Sequence, residues 1–340
     1  MPSLILVGGF YGDEGKGKII SYLAKKDDCT IAVRGGVGPN AGHTIVWKGR
    51  TYKLRMLPSA FVNNTTRLQI GPGVLVNPEV FLKEVKELNA EKRCSLDPLC
   101  AIIEQKHIDQ DKGSKYLSGK IGTTGTGTGP CNSDRINRVA KLARDLPELK
   151  SYLIDVPASV NTALANGENV IVEGTQGTFL SLFHGSYPFV TSKDVTASSI
   201  AADVGLGPTN VDDVLVVFKA YVTRVGEGFL KEELSPEEAA KRGWTEFGTV
   251  TRRQRRAAPF DYDLARRAVM LNGATQIAIT NFDRVYQNSK SVTNYRDLPT
   301  EAKSFIKKVE DEIGVPVTLI GTGPSVEEVV DRREKIWPTQ

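Results

Sequence analysis

Seven short apolar runs rich in β-branched residues recur along the chain, at 3–7, 30–33, 99–103, 169–173, 214–222, 276–280 and 315–320. Few of them alternate apolar with polar residues. A strand with one wet face shows that alternation, so these runs read as strands covered on both faces. Between them lie helical segments with legible starts. Asn77-Pro78-Glu79 supplies an N-cap, a proline at the first helical position and an acid in the first turn, while Ser235-Pro236-Glu237-Glu238 and Ser325-Val326-Glu327-Glu328 each fit a capping box. Strands alternating with helices predict an α/β fold with a mainly parallel central sheet flanked by helices.

At roughly 150 residues per domain, 340 residues could form two domains. No Ser/Gly linker or low-complexity tract divides the chain, so one domain over 1–340 with large insertions is expected; the runner-up boundary is near Pro208. With 40% hydrophobic and 25% charged residues the chain is outside the disordered class, and a net charge of +4 gives no bulk attraction to nucleic acid or membrane. The three His and four Cys are scattered, which argues against zinc and iron–sulfur sites. The N-terminus lacks a basic leader, and no apolar stretch approaches the roughly 18 residues of a membrane span. A cytoplasmic protein with reduced thiols is expected.

The chemistry is concentrated in loops that follow strands. The first strand runs into Gly8-Gly9-Phe10-Tyr11-Gly12-Asp13-Glu14-Gly15-Lys16-Gly17-Lys18 and then an amphipathic helix. Glycines let backbone N–H groups approach an anion at a helix N-terminus, and the lysine neutralises charge, so a P-loop-like nucleotide-binding architecture is predicted. A standard Walker A would need Gly where Phe10 stands and Ser or Thr where Gly17 stands. Asp13 and Glu14 are unexpected in a loop that only holds phosphate, and suggest a metal ligand or a general base.

The second strand ends in 34–44, where His43 follows Asn40-Ala41-Gly42; by the rule that ligands sit at the carboxyl ends of parallel strands, this loop adjoins the first and makes His43 a candidate acid. A glycine and threonine run over 122–130 leads to Asp134, Arg135 and Arg138; Glu173-Gly174-Thr175-Gln176-Gly177 follows another strand, and Thr191-Ser192 could donate to an anion. Loops in this number suit two bound nucleotides. The cluster Thr249-Val250-Thr251-Arg252-Arg253-Gln254-Arg255-Arg256 lacks interleaved aromatics and suits small carboxylates and phosphates better than nucleic acid. Asp283, after a strand, could accept from guanine N1–H and N2–H₂, or could be a helix cap.

Six or more of these motifs in order, over nearly the whole chain, closely resemble the adenylosuccinate synthetase family, which condenses IMP with L-aspartate while hydrolysing GTP. The length resembles the compact archaeal form. The resemblance implies that Asp13 removes the N1 proton of IMP and, with the main chain of Gly42, binds magnesium (Mg2+). It implies His43 as the acid stabilising the transferring phosphoryl group, with Lys16 and Gln176 beside it. Gly12, Glu14, Gly15, Gly17 and Thr44 then belong with GTP, as do Arg255, the guanine-reading Asp283 and the guanine loop Gly321-Thr322-Gly323. Asn40, Ala41, Thr124, Gln176, Thr191 and Arg253 match IMP contacts. Arg138 matches an arginine that reaches IMP from the second subunit of a homodimer, and Thr249, Val250, Thr251, Arg253 and Arg255 match the aspartate loop. Departures from the family pattern are Phe10-Tyr11 for Gln-Trp, Arg252 for a glycine, and Asn281 for a lysine. Two alternatives remain: the related phage enzyme that joins aspartate to dGMP, which carries a smaller residue at the position of Asp13, and a non-catalytic guanine-nucleotide switch.

Overall fold

The computed structural model describes residues 2–248 and 253–336. Its central sheet has nine strands among the described residues: β1 Ser3–Gly8, β2 Ile31–Arg34, β3 Arg67–Ile70, β4 Cys94–Leu96, β5 Val170–Glu173, β6 Asp213–Lys219, β7 Gln276–Thr280, β8 Val317–Gly321 and β9 Val329–Asp331. Their spatial order is β9-β8-β7-β6-β1-β5-β2-β3-β4. Every pairing is parallel except the antiparallel edge β8–β9.

Both faces of the sheet are buried, as the lack of alternation predicts. Along β1, Ile5 and Val7 join one apolar core while Leu4 and Leu6 join the other, because successive side chains of a strand point to opposite faces. The chain builds outward from β1 in both directions, so β1 is where the strand order reverses. Ligand crevices in open parallel sheets form outside the carboxyl ends of the strands at such a point.

Several expectations need correction. The run 99–103 yields only Ala101–Ile102, paired in parallel with Leu75–Val76 outside the main sheet. The run 214–222 breaks after Lys219, and Val222–Arg224 pairs antiparallel with Arg256–Ala258. Ser325 does not start a helix. Glu328 accepts from the Ser325 N–H at 2.7 Å as in a capping box, but pairing with β8 takes the chain into β9 instead. The helices expected after Asn77 and Ser235 form, as Pro78–Glu87 and Pro236–Lys241, with both cap bonds in place. All four cysteines are buried and unpaired. Among the described residues no helix is long and apolar enough to cross a membrane.

Candidate active site

A cavity of about 770 Å³ opens at the carboxyl ends of the strands, around the end of β1. Its lining includes Gly12, Asp13, Gly15, Lys16, Gly17, Asn40, Ala41, Gly42, His43, Thr44, Thr124, Gln176, Thr191, Arg253, Arg255 and Gly323. Segments far apart in the chain thus meet around one space. Thr249, Val250 and Thr251 lie outside the described residues. Glu14, Asp283, Gly321 and Thr322 are not among the described lining residues, and exposed Arg138 belongs to a separate shallow pocket with Leu99, Arg135, Ala140 and Leu142.

The cradle after β1 is closed by its own carboxylate. Glu14 is fully buried; its Oε1 accepts from the N–H groups of Phe10 (3.1 Å) and Gly12 (2.8 Å), and its Oε2 from Lys16 Nζ (2.8 Å). With two backbone donors and an ammonium on it, this side chain holds the loop in shape. Gly177 is required beside it, because a Cβ there would stand 2.4 Å from the Gly12 nitrogen and 2.5 Å from Glu14 Oε1. Lys16 also donates to the Gln176 carbonyl, tying the β1 loop to the β5 loop. Helix α1, Lys16–Lys26, then starts with its N-terminal amides at the cavity.

Asp13, Gln176 and Asn281 all hold positive φ, at 62°, 52° and 53°. Non-glycine residues tolerate this region at a cost that the surrounding structure must offset, and such residues cluster at functional sites. Asp13 turns its carboxylate to Arg255, Oδ1 to Nη2 at 2.9 Å.

His43 stands on a buried network that the sequence reading did not assemble. Its Nδ1 contacts Glu173, the last residue of β5, whose carboxylate also accepts from Arg34 Nη1 (2.7 Å), Ser59 N (2.6 Å) and Ser59 Oγ (2.9 Å). Burial depresses the imidazole from its ordinary 6.5 to about 4, outweighing the pull of Glu173. Burial works to raise Glu173, but His43, Arg34 and the Ser59 N–H prevail and hold it near 2. At neutral pH the ring is therefore uncharged, with Nδ1–H donating to Glu173 and the Nε2 lone pair free. A usable signal was present: an acid ending an apolar strand needs a partner.

Several buried polar atoms of lining residues have no partner among the described residues: Asn40 Oδ1, His43 Nε2, Gln176 Oε1 and Ser192 Oγ. Buried polar groups are nearly always satisfied, so these atoms mark where ligand atoms belong. Asn40 is oriented by its amide, which donates to Thr191 Oγ1 at 3.2 Å. Lys18, also unassigned from the sequence, donates to the carbonyls of Gly323 and Glu328 (2.7 Å for the latter) and fastens the 321–323 loop to α1. Arg253 Nη2 donates to the Gly122 carbonyl at 2.5 Å, bringing the arginine cluster onto the glycine and threonine run.

A sequence profile of the family described as adenylosuccinate synthetase matches residues 5–148, 139–290 and 285–330. Adenylosuccinate synthetase of Archaeoglobus fulgidus is 57% identical over 337 residues, 99% of this chain and 100% of the relative. That of Methanosphaera stadtmanae is 54% identical over 340 residues, with 99% and 100% covered. Among solved structures, fully ligated adenylosuccinate synthetase from Plasmodium falciparum superposes with a TM-score of 0.90 at 24% identity, covering 97% of this chain and 100% of that one. The succinoaminodeoxyadenylate synthetase of cyanophage S-2L, bound to dGMP and to dATP as energy donor, superposes with a TM-score of 0.79 at 26% identity, covering 97% and 95%.

Proposed function

The chain belongs to the adenylosuccinate synthetase family, and on that premise we propose how its own residues carry out the GTP-dependent ligation of L-aspartate to IMP. The oxygen at C6 of IMP is a poor leaving group. Asp13 takes the N1 proton, O6 attacks the γ-phosphorus of GTP, and GDP departs, leaving 6-phosphoryl-IMP. The aspartate amine then attacks C6 and gives up a proton; the C6–O bond breaks and phosphate leaves with the former O6. Little covalent chemistry is asked of the protein, and most of the barrier is met by positioning and by charges aimed at the moving phosphoryl group.

Lys16 and the N-terminal amides of α1 receive the GTP phosphates. Asn40, Thr124, Gln176 and Thr191 hold IMP, the unpartnered Asn40 and Gln176 oxygens accepting from it. His43 rests neutral, and a phosphoryl anion beside Nε2 raises its proton affinity, so it becomes charged as the substrates seat. Asp13 must exchange Arg255 for substrate, which frees that guanidinium for phosphate or carboxylate. Asp13 and Gly42 both border the cavity, and one carboxylate with one main-chain carbonyl would suit Mg2+, which keeps several ligand positions for water and phosphate oxygens. Bound there, the ion would neutralise phosphate charge. Residues 1–340 are read as one domain, which the shared nine-stranded sheet supports, in a cytoplasmic homodimer with Arg138 contributing to the neighbouring site.

The observation that carries this reading is the convergence of Asp13, Lys16, Asn40, His43 and Gln176, from three loops, on one cavity lined by unpartnered polar atoms. Phosphate release from GTP should require IMP and aspartate together. Asp13→Ala and His43→Ala should each lower kcat by about 10²–10⁴-fold while both proteins still unfold cooperatively. GTP hydrolysis without the other substrates, or near-full kcat in either variant, would sink the assignment.

A further inference from the structure

Glu246 lines the cavity and has no role in the reaction as written above. Its carboxylate is largely buried and accepts from four donors: Lys219 Nζ at 2.8 Å, Asn281 Nδ2 at 3.1 Å, the Tyr221 hydroxyl and Arg255 Nη1. A carboxylate offers about four acceptor positions, so this one is saturated and has no capacity left to take a proton or a ligand. The donors come from the end of β6, the residue after β7, and the arginine cluster. Glu246 therefore ties the strand ends at the base of the cavity to the guanidinium that faces Asp13.

The position is built rather than incidental. The Tyr221 ring stacks on Trp244 with centroids 4.5 Å apart and planes 10° from parallel, and Lys219 Nζ lies 5.0 Å from the Tyr221 centroid. Trp244 is thereby held two residues before Glu246. The Arg255 N–H donates to the Glu246 carbonyl at 2.8 Å, and the Gly248 N–H to the Arg253 carbonyl at 2.8 Å, so the segments 246–248 and 253–255 pair antiparallel. Arg255 is held to Glu246 by backbone and side chain together, with its other terminal nitrogen on Asp13.

We propose that Glu246 is the positioning residue of the active site, setting the Arg255 guanidinium so that it can pass from Asp13 to a substrate anion. The proposal rests on the functional reading above. Glu246 stays ionised: burial opposes the charge, but Lys219 and Arg255 hold the carboxyl near 2. A charged clamp on one side of the guanidinium lets the other side exchange partners without the side chain losing its place. Neutralising the clamp leaves Lys219 and Arg255 short of an acceptor in a desolvated setting, where unpaired charge is most costly.

The test is a double-mutant cycle on the full-length protein, with Glu246→Gln, Tyr221→Phe and Arg255→Leu alone and in pairs, read by steady-state kinetics and thermal unfolding. Glu246→Gln should lower kcat/KM for GTP and aspartate by about tenfold or more while kcat/KM for IMP moves less than about twofold. Tyr221→Phe, which keeps the stack on Trp244, should give a smaller loss of about threefold in the same two parameters. In the Arg255→Leu background each substitution should cost less than about twofold, because the group it positions is gone. Effects that multiply instead, equal losses for all three substrates, or a Glu246→Gln enzyme at wild-type rate would overturn the proposal. If Glu246→Gln fails to fold, the Tyr221→Phe arm decides alone. An Arg255→Leu enzyme with unchanged kinetics would overturn the underlying site reading, and this proposal with it.

Discussion

His43 and Glu173 are each legible as polar residues near a strand end, but their chemistry depends on being buried together. The pair makes the protein acid-labile in a defined window. Folded His43 binds a proton only below about 4 whereas the unfolded chain binds one below 6.5, so its contribution to stability is lost as pH falls from 6.5 towards 4. Glu173 has the same sign: its contribution is full above 4.5 and disappears as pH falls towards 2. Denaturant unfolding measured from pH 8 to pH 3 should therefore lose free energy progressively below about 6.5, and Glu173→Gln should flatten the lower part of that profile. A flat wild-type profile would contradict the buried pair. Histidine NMR of the free protein should find one ring neutral down to about pH 4, with its protonation moving upward when IMP and GTP are added.

At the scale of elements, function depends on how loops are braced against one another. The β1 loop is shaped by Glu14 and overlain by the β5 loop at Gly177, where there is no room for a side chain. Gly177→Ala should cost about 2–4 kcal/mol of stability, since its Cβ meets backbone and a carboxylate pinned by three hydrogen bonds rather than a movable side chain. Gly113→Ala, in a helix with nothing near its Cβ, should be neutral or stabilising by about 0.5–1 kcal/mol. Similar unfolding midpoints for the two variants would refute the tight contact. Arg253 braces the arginine cluster against the run that carries Thr124. Arg253→Leu should accordingly raise KM for aspartate and IMP by about tenfold or more and leave KM for GTP within about twofold; a uniform rise would assign the residue to folding.

At the scale of the whole molecule, shape alone does not select the substrate. Two solved enzymes of different names, one of them bound to dGMP, superpose on nearly all of this chain. Asp13 and the full-length archaeal relatives favour IMP, and kcat/KM for IMP should exceed that for dGMP by about tenfold or more, about 1.4 kcal/mol in transition-state binding. Equal use of dGMP would overturn the substrate and leave the GTP site standing. Arg138 lies away from the cavity and keeps a positive φ of 66°. If it serves a neighbouring site, mixing inactive Asp13→Ala and Arg138→Leu proteins should restore about a quarter of wild-type activity, because half of the reassorted dimers then hold one intact site. No recovery after mixing would place Arg138 in its own subunit's chemistry or outside it.

What the residues determine unaided is what depends on near neighbours in the chain. The absence of alternation along 3–7, 169–173 and 276–280 encodes strands buried on both faces, Asn77 and Ser235 encode helix starts, and the glycines and lysine of 8–18 encode an anion cradle. The same local logic misread Ser325-Glu328, because pairing with β8 outweighed a capping box of which only the Ser325 N–H to Glu328 bond is formed. Strand order, by contrast, was decided in three dimensions, where β5 lies between β1 and β2 and β6 takes the other side of β1, so that the order reverses there. Contacts such as His43 with Glu173, 130 residues apart, or Lys18 with Gly323, 305 apart, carry no periodic signature. Their loops close only when the rest of the sheet supplies the burial that offsets the lost chain entropy, so partners, charge states and the pinned carboxylates of Glu14 and Glu246 belong to the tertiary structure.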